Sequence, residues 1–257
     1  YDGTANVTQS LTKGTNYTLT GFVGTEGTGI GLSSATGKYN DKNAGANKNV
    51  RFDGLRLTGD GAGNYAPDKT TLTGTGTITP RALTLGAVEA QTKTYDGTTA
   101  ADTAKFRAGL NNAVAGDDIT AAAAGAAYND KNVARANRID YTGVALRGAD
   151  AGNYSIADTT AQGAGSITHR DLTLTADAQS IVQGEALPSF TGRAEGFADG
   201  EDERVFGTDG ITFGTTLTNT DTPGSYGVTG RIGSTSDGVL GNYRIGQAAG
   251  NATAFTI

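Results

Sequence analysis

Apolar and polar positions alternate along several short stretches of the chain, and in two places the alternation slips by one residue. Val50 and Phe52 share one parity and Leu55 and Leu57 the other; Ile139 and Tyr141 are followed in the same way by Val144 and Leu146. Alternation with period two marks a half-buried strand. The phase changes fall at Gly54 and Gly143, where an extra residue with permissive backbone predicts a β-bulge that keeps both halves of one strand facing the core. Ile78 followed by Leu83 and Leu85, and Ile167 followed by Leu172 and Leu174, predict strand pairs joined only through Pro80-Arg81 and His169-Arg170. Residues 121–127 (AAAAGAA) have the propensity of a helix. Gly125 interrupts the run, however, and the matching residues 29–34 (GIGLSS) cannot form a stable helix, so a strand is expected in both.

These patterns recur because the chain repeats itself. Residues 63–85 and 152–174 are identical at 13 of 23 positions without a gap, and their opening Gly-Asn-Tyr returns at Gly241, Asn242 and Tyr243. The spacing is 89 residues both times, the mark of a tandem array. YDGT occurs at 1–4 and 95–98, and YNDKN at 39–43 and 128–132. The distance between these two words is 38 residues in one copy and 33 in the other, a difference that belongs in a surface loop. Three repeats are expected: 1–80, which lacks the strand that precedes YDG in the second copy; 81–169, complete; and 170–257, on the same plan with different words. Linkers this short predict a semi-rigid rod.

Composition agrees with strands and tight turns, since 40 residues are Gly and 36% are hydrophobic. Cys is absent, which excludes disulfides and thiolate metal sites and suits an exported bacterial chain. No apolar run approaches the roughly 20 residues that span a bilayer, so membrane insertion is not expected. The chain begins without Met or a signal peptide and is expected to be an excerpt of a longer protein. Net charge is +1 over residues 1–80, −1 over 81–169 and −6 over 170–257. No repeat has the basic face that nucleic-acid binding requires.

At this level of detail the words resemble a family. KTYDGT at 93–98, YNDKN, AGNY and SITHRDLTL are similar to the YDG repeats of large secreted bacterial adhesins. The third repeat resembles the companion MBG domain of the YGX type, through LTLTADAQSIVQGEALPSF, Gly196-Phe197 and GSYGV at 224–228; Gln183-Gly184 stands where that domain has YG. The resemblance covers essentially the whole chain. It implies an all-β chain of three tandem Ig-like β-sandwich modules in an extended rod. It further implies the stalk of a filamentous-haemagglutinin-like, two-partner-secreted adhesin of the Pseudomonas biofilm-matrix type, secreted or held at the bacterial cell surface. Expected partners are neighbouring repeats of the same long protein, and extracellular polysaccharide or a host surface through distal domains. The segment itself is expected to be a monomer.

Chemistry is sparse. His169 is the only His and aligns with Pro80, so no imidazole is required there. The chain has no ordered Ser/His/Asp set and no phosphate loop between strand and helix, and no enzyme is expected. Calcium is the one conceivable ion, with oxygen ligands at Asp41, Asn43, Asp130, Asn132, Asp199 and Asp202, although neither cluster supplies the six to eight that calcium takes. Lys93 with Asp96 invites a covalent Lys–Asp staple, which the Lys-free third repeat could not make. The YDG words read as structure: Tyr at a core edge, Asp on backbone amides, Gly at positive φ. The alternative to a spacer is a module that binds matrix polysaccharide, for which exposed aromatic rings would be the stacking surface.

Overall fold

The computed structural model describes residues 1–207, 210–233 and 238–257. Strands dominate, and the helical turns are 3-10 segments of three to five residues. The chain is all-β, in sandwich-like sheets, as the alternation implies. It divides into two compact units, 1–86 with 108–122 and 145–159, and 87–107 with 123–144 and 160–257. All five boundaries between the units fall within the second repeat.

In the first unit, Thr36–Tyr39, Gly45–Asp53 and Thr71–Ile78 form an antiparallel sheet. Gly31–Ser33 pairs with Arg56–Thr58. The expected bulge at Gly54 is instead a break: the chain leaves one sheet there and enters another, and its partner breaks opposite, at Ser34-Ala35. The reason is steric. Gly54 sits at φ +65°, and a Cβ on it would lie 2.7 Å from that of Ala35, so the two paired strands turn the corner together. Val50 and Leu55, one on each side of the break, are both buried with Ile30 and Ile78. The phase slip is therefore a corner of the sandwich. The unit also holds Thr120–Ala122 paired with Ala145–Arg147, and a sheet ordered Tyr154–Ile156, Arg81–Val88 as far as Gly86, Ala108–Asn111. The first two of these run parallel.

In the second unit, Gly125–Tyr128, Arg138–Thr142, Thr160–Thr168 and Gln91–Thr94 form one sheet, with the last pair parallel. Its inward face carries Ile139, Tyr141, Tyr128 and Ile167. Two inward positions of Thr160–Thr168 are Gly163 and Gly165, covered by Val88 with Tyr141 and by Ile139 with Tyr128. Arg170–Ala176 lies between Gly192–Glu195 and Tyr243–Gln247, the latter pairing parallel. Leu172 and Leu174 are fully buried. Phe255–Thr256 pairs parallel with Gln179–Ser180 and antiparallel with Ser225–Tyr226, over a cluster of Val228, Ala254 and Phe255. The AAAAGAA run is strand on both sides, Thr120–Ala122 and Gly125–Tyr128, with a break at Ala123-Ala124. His169 alone separates Thr160–Thr168 from Arg170–Ala176.

Candidate functional site

The repeated words meet in two places built alike. In the first unit, Tyr1 of YDG lies edge-on to Tyr154 of GNY, ring centroids 5.3 Å apart at 74°, a favoured aromatic geometry. Both hydroxyls donate to Oδ2 of Asp117, at 2.7 and 2.6 Å. The Tyr154 hydroxyl also accepts from the Val114 N–H at 2.9 Å. In the second unit, Tyr95 and Tyr243 are 5.4 Å apart at 78°. Their hydroxyls donate to Oε1 and Oε2 of Glu201, at 2.7 and 2.5 Å. The Tyr243 hydroxyl accepts from the Ala198 N–H at 3.0 Å.

An asparagine stands beside each ring pair. Asn153, 4% exposed, accepts from the Ala44 N–H at 2.8 Å and donates to Asn43 Oδ1 at 3.2 Å. Asn242, 1% exposed, accepts from the Val133 N–H at 2.8 Å and donates to Asn132 Oδ1 at 2.8 Å. Each joint thus links YDG and YNDKN of one repeat to GNY and a carboxylate of the next. Every contact in it comes from residues of a single unit.

Local backbone explains why these words recur. The 3-10 turns Ala151–Asn153 and Val239–Asn242 present the Asn, and the following Tyr is extended at φ −129° and −112°. On the opposing side Asp2 and Asp96 accept from the N–H groups of Thr4 and Thr98, at 2.8 and 3.0 Å. Gly3 and Gly97 take φ +83° and +77°, a region open to Gly at little cost. They also keep the approach close. A Cβ on Gly3 would lie 2.9 Å from Val114 Cγ1, and one on Gly97 would lie 3.3 Å from Glu201 Oε1.

The electrostatics follow from burial and from the shared carboxylate. The Tyr154 and Tyr1 hydroxyls hold the Asp117 carboxyl below its usual range, because a hydrogen bond to the charged form favours it. Burial, and then Asp117, push Tyr1 and Tyr154 up. In the second joint, burial and the bond to Glu201 push Tyr243 up to about 12 and raise Tyr95 as well. Lys42 lies 3.2 Å from Asp117 and 3.7 Å from Asp150, whereas its counterpart Lys131 is exposed. The acid and the tyrosines are therefore the shared core of both joints, and the lysine belongs to one. Among the described residues no buried side-chain polar atom lacks a partner, so the joints are satisfied contacts.

Five of the six calcium candidates make protein contacts. Asp41 accepts from the Asn43 N–H at 2.8 Å and from Lys48, and Asp130 accepts from the Asn132 N–H at 2.7 Å. Asn43 and Asn132 are joint residues. Asp202 caps a 3-10 turn and holds Arg204, and Asp199 is exposed. Among the described residues no group of three or more His, Asp or Glu side chains is placed to hold a metal ion. The Lys93 ammonium meets Asp96 Oδ1 at 2.7 Å, the Thr98 and Ala100 carbonyls at 2.9 and 2.8 Å, and the Tyr128 ring face. That clamp fixes the YDG turn. His169 is exposed.

Asp117 and Glu201 are the site residues that the repeat words do not flag. They precede their tyrosines by 37 and 42 residues, so no fixed period exposes them. A short signal does exist: each lies three residues after the residue whose N–H meets the tyrosine hydroxyl, Val114 or Ala198.

Comparison with known proteins identifies the family. A family model of the YDG domain matches residues 1–72 and 79–161, and one of the MBG domain (YGX type) matches 172–253. No curated protein and no solved structure matches the chain. No described helix is long and apolar enough to cross a membrane. The words that make the two joints lie inside these matched stretches, and the chain belongs to the YDG-domain family, with an MBG domain of the YGX type behind its YDG stretches.

Proposed function

We propose that this chain is a structural spacer segment of a secreted or cell-surface bacterial adhesin, acting through the repeats themselves rather than through a ligand pocket. One observation carries the reading. The recurring residues Tyr95, Asn132, Asn242 and Tyr243 are consumed in a joint between neighbouring repeats. A binding module would spend its recurring aromatics on an open surface, yet Tyr95, Tyr128, Tyr141, Tyr154 and Tyr243 are all buried. Pulling the chain end to end in a force spectrometer tests the spacer role. The joint should yield at forces that drop in Asn242→Ala and Tyr95→Phe chains. A glycan array probed with the 257-residue chain should be blank, and a saturable hit on matrix polysaccharide would favour the sugar-binding alternative.

A further inference from the structure

The first repeat carries a third copy of the joint's receiving side, and this copy is left exposed. The turn Ala62–Asn64 leads into Tyr65 at φ −129°, ψ 154°, against φ −129°, ψ 159° for Tyr154. The Val23 N–H donates to the Tyr65 hydroxyl at 3.1 Å, as Val114 and Ala198 do to theirs. The Tyr65 hydroxyl in turn meets Glu26, the acid three residues on. Phe22 packs edge-on to Tyr65 at 5.0 Å, as Phe197 packs on Tyr243 at 6.0 Å. What differs is cover. Asn64 and Glu26 are exposed, where Asn153 and Asn242 are buried. Val23 is 71% exposed, although its counterpart Val114 lies beneath Gly3 of a YDG word. The exposed Val23 thus stands at the position that the Gly of a YDG word covers in the first joint.

We propose that Val23, Glu26, Asn64 and Tyr65 form a socket for the YDG turn and YNDKN loop of another YDG repeat placed ahead of the first. Its Tyr hydroxyl donates to Glu26, its Gly covers Val23, and a loop N–H donates to Asn64 Oδ1. In both filled joints the socket belongs to the later repeat, which sets the polarity. A second copy of this chain does not fit, because its Tyr1 and Tyr95 faces are already engaged by Asp117 and Glu201. The inference rests on the joint geometry and stands whether or not the array serves as a stalk.

The test is an extended chain in which residues 81–169 and then 81–94 are placed directly before Tyr1, keeping the repeat register and all 257 residues. The protein has no Cys, so paired cysteines report proximity without background. Asn64→Cys with Asn132→Cys of the added copy should form a disulfide in yield comparable to the control pair Asn242→Cys with the original Asn132→Cys. Independently, Glu26→Gln should lower the melting temperature of the extended chain by about 3 °C or more and shift the 257-residue chain by about 1 °C or less. Equal shifts in the two chains, or a control disulfide without the new one, would overturn the proposal. So would disulfide-linked dimers of the unextended Asn64→Cys chain at the same yield.

Discussion

Asn242 and Asn64 have the same neighbours in sequence and opposite fates in space, which makes them a natural pair for measuring what the joint is worth. Asn242 bridges the Val133 N–H and Asn132 Oδ1 from a fully buried position. Removing its amide leaves a buried donor unpaired, and Asn242→Ala should cost about 1–3 kcal/mol. Asn64→Ala, at an exposed site, should stay within about 0.5 kcal/mol; urea melts of the two variants decide. The tyrosines carry a pH signature of the same joint. Tyr243 holds its proton up to about 12 in the fold and to about 10 in the unfolded chain. The unfolded state therefore releases its proton first as pH rises. The stabilisation is whole below pH 10 and is lost between 10 and 12. Asp117 works in the opposite sense, since its carboxyl is held below its ordinary value. Its contribution is present at neutral pH and disappears as acid protonates it below about 4. Stability measured from pH 8 to 12 should decline in the parent, with a shallower decline in Tyr243→Phe; an unchanged slope would assign the alkaline loss elsewhere.

Among the elements, glycines do what apolar residues do elsewhere. Thr160–Thr168 presents Gly163, Gly165 and Ile167 inward, so its alternation is real but only one of the three positions looks apolar. Tyr128 and Ile139 close over Gly165, within 2.9 and 2.6 Å of where a Cβ would stand. Gly165→Ala should therefore destabilise by about 1–3 kcal/mol through overpacking, read as a drop in urea midpoint. Gly54→Ala and Gly143→Ala add backbone strain at φ +65° and +62° to a close approach on Ala35 and Ala124. Each should cost at least about 1–2 kcal/mol. The sequence made the strands legible wherever Val, Ile, Leu and Tyr alternate, and its phase slips marked the strand breaks at Gly54 and Gly143. It could not separate a bulge from a corner, because both need one permissive residue between two apolar parities. That distinction depends on where the paired strand breaks.

For the molecule as a whole, the YDG, YNDKN and GNY words were enough to name the family. What they are for was less legible. Asp and Asn of YNDKN resemble an ion-binding loop on composition alone, yet Asn43 and Asn132 face an asparagine of the next repeat. The two carboxylates that tie the joints together carry no repeat signal, because loops of unequal length separate them from their tyrosines. Joints made from the same words also bear on cooperativity. In a repeat array nearest-neighbour contacts supply part of the total stability. Substitutions in a joint are accordingly expected to reduce the cooperativity of unfolding as well as its midpoint, seen as a split or broadened calorimetric transition.

The central claim is that the family's words hold one repeat to the next through a tyrosine pair on a shared acid. A double-mutant cycle on Tyr95→Phe and Glu201→Gln, followed by urea unfolding, tests it most directly. The joint predicts a coupling of about 0.5–3 kcal/mol between the two changes. Effects that add to within about 0.3 kcal/mol would show that the two residues do not act together, and would contradict the account.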